Sequence, residues 1–323
     1  MTSRERVWSV FKTLKADRPP FNFWMDRDIM NKLDKELGDN FRVSHYDADI
    51  IETFAQINYF PTFSGEYIQD EITTWQIKGA IEDYSEVLDA PMPNPNDINI
   101  YQNIIDTRAK YPDKALFTML IPPIGSIGGL KLPQDFMMDL ISEPELIHSV
   151  IDKIMPTMIK VAENVCDLDI DVLYIADDIC MSSGLIYSKK MIREFQFDYI
   201  KPIINLAHDK GKKVFYHTDG LVMDILDMFM EYNIDGINPL EPRFNKGEEF
   251  IKKCDGKLML YGGIDNCHII PEGSVDDVAM HIKNQFETIG KHTGMIFSSH
   301  DIPSSVPMEN INVMVDTIKS LRY

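Results

Sequence analysis

The chain is poor in several features that mark whole classes of protein. Its four cysteines, Cys166, Cys180, Cys254 and Cys267, form no CxxC pair and no zinc-ribbon spacing. That excludes a thiolate-rich structural metal centre and a disulfide framework. No apolar run approaches the roughly 18 residues that a spanning helix needs, so no membrane segment is expected. Cationic residues are scarce: 32 Lys and Arg face 51 Asp and Glu, a net charge of −19. Nucleic acids and anionic membranes require a basic face, and neither is an expected partner. The first residues, MTSRERVWSV, carry charge but no apolar core of a signal peptide, so reduced thiols in a cytoplasm are expected. No repeat, low-complexity tract or linker interrupts the sequence, and one domain spanning 1–323 is expected.

What is present is a regular alternation. A hydrophobic content of 44% with 10% aromatics is enough for a sizeable core. From residue 110 onward, short apolar runs alternate with longer segments of helical period. The runs are ALFTMLI (115–121), VLYIA (172–176), KVFYH (213–217), DGINPL (235–240), LMLYGG (258–263) and MIFSS (295–299). Helical segments are predicted at 143–166, after a cap at Ser188, and at 222–232, 246–254, 274–290 and 307–321. Strands buried on both faces read as continuous apolar runs, and parallel neighbours need a crossover between them. FNFWM (21–25) with a helix at 28–37, and a strand at FRVSHY (41–46), bring the count to eight. Eight units predict a (β/α)8 TIM barrel with an N-terminal extension, and a doubly wound open sheet is the alternative. Residues 60–96 break the rhythm: PTFSGEY, ITTWQIKGAIEDY and APMPNPND predict a hairpin insertion followed by a Pro-rich loop.

Chemistry concentrates at the strand ends. FYHTDG (215–220) places His217, then Asp219, where a buried strand opens into a loop. Asp178, Glu241, Asp265, His300 and Asp301 follow other strands, and the carboxyl rim is where such folds carry their sites. Each has an ordinary reading as a cap, a core histidine or a solvated charge, but their recurrence on one rim points to a site. His217, Asp219, Glu241 and His300 are candidate metal ligands, an oxygen- and nitrogen-rich set that suits zinc and an oxygen-bearing substrate. Asp178, His217 and Glu241 are the candidate catalytic groups, and Met181, Tyr187, Phe244, Tyr261 and Asp265 are candidate substrate contacts. The glycines of PPIGSIGG (122–129) lack GK[ST] and predict a turn beside the pocket instead of a phosphate loop.

Five motifs in order, ADDICMSSGLIYSKKMIREF (176–195), VFYHTDG (214–220), GINPLE (236–241), YGGID (261–265) and SSHDIP (298–303), with PMEN (307–310), carry a resemblance. The chain resembles the uroporphyrinogen decarboxylase superfamily and, within it, the cobalamin-dependent methyltransferases. In those enzymes, and in the related barrel of cobalamin-independent methionine synthase, a His-x-Cys, a Glu and a later Cys bind zinc that activates a thiol. His217 and Glu241 match that pattern, whereas Asp219 and His300 stand where cysteines would be. The decarboxylases of the family grip substrate carboxylates with an Arg-rich N-terminal segment. Here that region reads PPFNFWMDRD, with only Arg18 and Arg27 nearby in a different spacing.

The resemblance implies a methyltransferase. The function expected from it moves a methyl group from an oxygen-linked donor, such as an aromatic methyl ether, to a corrinoid. HTDG lacks the aspartate of a cobalamin-carrier motif, with Phe215 in its place, so the corrinoid is expected on a partner protein. Alternatives are transfer from a methylcorrinoid to a thiol or to tetrahydrofolate, decarboxylation, and a non-enzymatic binding barrel.

Overall fold

A computed structural model of the chain describes residues 1–69 and 74–323. Eleven strands are formed among them: β1 (Ile50–Phe54), β2 (Glu66–Gln69), β3 (Thr74–Lys78), β4 (Ala115–Leu120), β5 (Val172–Ala176), β6 (Cys180–Met181), β7 (Gly184–Leu185), β8 (Lys213–His217), β9 (Gly236–Asn238), β10 (Met259–Gly263) and β11 (Met295–Ser298). Seven of them make one curled parallel sheet in the order β1-β4-β5-β8-β9-β10-β11. Spatial order therefore follows chain order, and each step needs a crossover, supplied by helices.

The fourteen α-helices are α1 (Ser3–Thr13), α2 (Arg27–Leu37), α3 (Phe41–Ser44), α4 (Gln102–Lys110), α5 (Pro123–Gly128), α6 (Pro133–Ser142), α7 (Pro144–Asp167), α8 (Lys189–Ile192), α9 (Asp198–Asp209), α10 (Leu226–Glu231), α11 (Gly247–Cys254), α12 (Ile269–Glu272), α13 (Val275–Gln285) and α14 (Met308–Ser320). Local chemistry sets their ends. Thr2 and Glu5 form a reciprocal capping box at α1, Ser188 caps α8, and Pro144 occupies the first turn of α7. Along α7 the buried Ile147, Val150, Ile151, Ile154, Met158 and Val161 recur at helical spacing and face the sheet. None of the helices among the described residues is long and apolar enough to cross a membrane.

The sheet has a core on each face, which explains its continuous apolar runs. On the convex side, Leu116, Leu173, Val214 and Leu260 pack under the helices. On the concave side, Phe117, Tyr174, Phe215 and Tyr261 form a separate cluster, capped at its amino end by Val7 and Phe11 of α1. Phe117 meets Phe215 and Tyr261 edge-on, with centroids 5.5 and 5.4 Å apart. Each such pair adds about 0.5–1.5 kcal/mol beyond simple burial. Two buried aspartates fasten α1: Asp171 accepts from Arg4 Nε at 2.8 Å, and Asp49 from Arg6 Nη1 at 2.6 Å.

The N-terminal prediction needs correction. FRVSHY does not form a strand; Phe41–Ser44 is helix α3, and the strand lies a few residues later at Ile50–Phe54. Phe41, Val43 and Tyr46 pack into the convex core as a helical turn and its exit, a pattern that alternation over six residues cannot distinguish. FNFWM is extended and meets β11 and the segment after it through isolated bridges at Phe21–Phe297 and Met25–Ile302, while the Asp49 N–H donates to Phe21 O. The predicted hairpin insertion is present as β2–β3, its residues 70–73 lying outside those described.

Candidate functional site

The site sits where β5, β8 and β11 open at their carboxyl ends. Within β8 the side chains alternate, so Phe215 and His217 face the concave side and Val214 and Tyr216 the convex one. The imidazole of His217 is fixed in one state by its neighbours. Asn238, at the end of β9, donates its amide N–H to Tyr261 O at 2.7 Å, which leaves its Oδ1 as an acceptor only. His217 Nδ1 lies 2.8 Å from that oxygen and must carry the proton. Tyr174 also donates to Asn238 Oδ1 and lies 3.1 Å from His217 Nδ1. The other ring nitrogen, Nε2, is thus the one that faces Asp178 and Asp219 at the rim.

Two groups converge on it. His217 Nε2, Asp219 and His300 offer ligand atoms that all lie within 4.8 Å of one another. Asp219 Oδ2 accepts from His300 Nε2 at 3.1 Å, while its Oδ1 lies 3.9 Å from His217 Nε2. That Oδ1 is buried and has no hydrogen-bond partner among the described residues. The two imidazoles stack with centroids 6.2 Å apart. Burial would raise the Asp219 carboxyl, but the hydrogen bond from His300 and the nearby imidazoles hold it below the usual carboxylate range. Burial likewise opposes protonation of His300, yet the hydrogen bond to and charge of Asp219 dominate and lift it to about 9.

These residues fit a divalent metal. An orphaned buried carboxylate oxygen calls for an unseen partner. An imidazole whose Nδ1–H is held by an acceptor presents Nε2 as histidine ligands do. Two imidazoles and one carboxylate leave a position open, the pattern of catalytic zinc.

Glu241 does not join the three. It is buried, and its Oε2 accepts the Gly220 N–H at 2.6 Å while Oε1 meets Arg243 at 3.2 Å. Its carboxylate therefore holds the turn that carries Asp219. Asp178 is close: its Oδ1 accepts the Asp219 N–H at 3.2 Å and lies 3.7 Å from His217 Nε2. Gly220 completes the turn at φ +86°, and a Cβ there would come within 2.4 Å of the Met181 backbone.

The expected substrate contacts are dispersed. Met181 has an exposed side chain on the β6–β7 hairpin, and Phe244 lies beneath the Arg243 guanidinium at 4.2 Å. Tyr187 is half-buried against Phe136, its hydroxyl pushed up to about 12 by burial and by Asp177. Asp265 accepts from the N–H groups of Cys267 and His268, which fixes its own loop. Tyr261 is fully buried in the floor and donates to Glu52 at 2.5 Å.

Sequence reasoning passed over several groups. Glu52 is enclosed on the concave face among Tyr261, Trp24 and Asn22, with Arg42 at 3.7 Å. An acid inside the apolar run IIETF was the available signal. Asp177, beside Asp178, accepts from Gln196 Nε2 at 2.7 Å, and desolvation pushes it up to about 7. Gly125 of the glycine-containing α5 admits it: a Cβ there would lie 2.8 Å from Asp177 Oδ1.

The uroporphyrinogen decarboxylase (URO-D) family model matches residues 125–321, well over half of the chain and including His217, Asp219 and His300. The chain belongs to the URO-D family. Among curated proteins none matches it. A methyltransferase from Methanosarcina mazei has a similar structure, with TM-score 0.75 and 15% identity over 99% of this chain and 98% of that one. An endo-beta-1,4-xylanase of glycoside hydrolase family 10 from Gloeophyllum trabeum has TM-score 0.50 and 12% identity over 95% and 99%. At these identities both likenesses show the fold alone. Within the URO-D match lie all of the strands β5 to β11 that build the rim cluster.

Proposed function

We propose that this URO-D family member is a methyltransferase that takes a methyl group from an oxygen-linked donor, an aromatic methyl ether, and delivers it to the corrinoid of a separate carrier protein. The carrying observation is the meeting of His217, Asp219 and His300 at the rim, with Nδ1 of His217 committed and an oxygen of Asp219 unpartnered. The Methanosarcina mazei protein, a methyltransferase of similar fold, supports the reading. In this reading the curled sheet closes with segment 21–25 as its eighth stave into a single-domain (β/α)8 barrel, and the protein works in the cytoplasm.

Demethylation of an ether is limited by its leaving group. As the C–O bond breaks, the oxygen keeps the electron pair and becomes an alkoxide or phenoxide, while the carbon bonds to the incoming Co(I) nucleophile, which becomes Co(III). A zinc ion held by His217, Asp219 and His300 would supply Lewis acidity toward that developing charge. The chain's own residues hold the geometry. Asn238 and Tyr174 hold the Nδ1 side of His217, so that Nε2 is the nitrogen offered to a metal. Glu241 keeps the Thr218–Gly220 turn in place. Asp178, exposed beside His217, orients the donor at the open side of the cluster.

Purified protein should bind about one zinc per chain and, given an aromatic methyl ether and a Co(I) corrinoid carrier, convert it to the methylated form. No methylation across a panel of such ethers, with zinc bound, would remove the donor class. The absence of zinc from wild type after reconstitution would remove the role given to the cluster.

A further inference from the structure

A cavity of about 510 Å³ opens at the carboxyl ends of β1 and β4, away from the residues expected to contact substrate. Phe54, Ile57, Tyr59, Met119 and Ile121 supply most of its wall, and none of its described lining residues carries a charge. Phe54 and Ile121 are 49% and 46% exposed, large apolar side chains turned to an open space. Its size lies in the range of small-molecule sites, roughly 300–1,000 Å³. A dry apolar cavity of about 150 Å³ already accepts benzene.

Two contacts tie this cavity to the metal-type cluster. Met119 pairs in register with Tyr174, whose hydroxyl touches His217 Nδ1. Strands lie about 4.8 Å apart, so the step from β4 across β5 to β8 is on the order of 10 Å. On the rim, Gly125 lies close to both Ile121 and Asp177, and the neighbouring Asp178 accepts from the Asp219 N–H. A donor with its body between Phe54 and Ile121 must span that step for its methyl end to approach His217 and Asp219.

We infer that this cavity is the subsite for the apolar body of the methyl donor and selects an uncharged molecule. The inference rests on the methyltransferase reading and adds to it where the donor sits and what charge it bears. The lining offers no cation to a carboxylate, sulfonate or phosphate, and none of the desolvation cost of such a group is recovered there. The protein's net charge of −19 also repels anionic donors. Uncharged ligands escape both penalties.

Methoxybenzene and its anionic relative 4-methoxybenzoate, titrated calorimetrically into the zinc-loaded full chain, test this. Methoxybenzene should bind saturably and the benzoate at least about tenfold more weakly. Met119→Trp and Ile121→Trp, which fill the cavity, should each weaken methoxybenzene by about tenfold or more with zinc content unchanged. Ile121 is half exposed, so its variant folds even where the Met119 variant does not. Equal affinity for the two ligands, or wild-type affinity in the Ile121 variant, would overturn the subsite. His217→Ala separates the two levels: it should lose zinc and keep methoxybenzene. Should wild type methylate no corrinoid carrier while Ile121→Trp still weakens methoxybenzene, the methyl-transfer reading falls and the cavity stands as a binding site for uncharged aromatics.

Discussion

Asp219 gives one oxygen to His300 and leaves the other without a partner, whereas the nearby Glu241 has both of its oxygens engaged. The two acids should therefore respond differently. Asp219→Asn should abolish stoichiometric zinc binding, and Glu241→Gln should retain it; metal analysis after dialysis distinguishes them. Asn238 touches no candidate ion but fixes the proton of His217, so Asn238→Ala should weaken zinc by about 10–100-fold in a competition titration. Asp177 predicts a pH effect of unusual sign. Its carboxyl is raised to about 7 in the folded protein, above its value of 3.8 when exposed, so the folded state holds the proton more tightly. Stability from this group is complete below pH 3.8 and is lost as pH rises toward 7, by up to roughly 1.4 kcal/mol per unit. Asp177→Asn should flatten that decline, which urea unfolding at pH 5 and pH 8 will read directly. The pairing of Asp177 with Gln196 was invisible in the sequence, because ADD presents two equal acids and only packing decides which is enclosed.

The turn after β8 depends on a residue without a side chain. Gly220→Ala would force a Cβ into the Met181 backbone at a positive φ, and a loss of about 1–3 kcal/mol is expected from the urea midpoint. Elements of this kind were legible in part. The β4, β5, β8, β10 and β11 strands stand where continuous apolar runs placed them, since burial on both faces writes the same signature into each. The N-terminal strand escaped because IIETF includes a buried acid, while FRVSHY alternates in a way that a single helical turn also satisfies. The hairpin was legible through its alternation, yet its strands bury neither face: Tyr67, Ile68 and Ile77 are all exposed.

Across the whole molecule, two buried aspartates brace the amino end against α1. Asp49 receives Arg6, Arg18 and the Phe21 N–H, so Asp49→Ala would leave the buried Arg18 guanidinium without a carboxylate, while Arg6 keeps Asp17. A loss of about 3–5 kcal/mol is expected, measured by denaturant unfolding. The rim cluster was legible as a set of residue types at strand ends, because strand alternation and the carboxyl edge are both readable from spacing. The exclusion of Glu241 and the orientation of His217 were not, because they depend on side chains from β9 and the turn after β8 meeting in space. The α1 stopper has a consequence for traffic. Val7 and Phe11 pack against the apolar cluster beneath His217, so the amino end of the concave face is filled and the carboxyl rim is the side left for approach. Under the proposed methyl transfer, a donor would then have to enter before a bulky carrier docks, and its demethylated remainder would leave only after the carrier has gone. Turnover would be a queue, in which excess carrier slows the reaction by blocking the entrance.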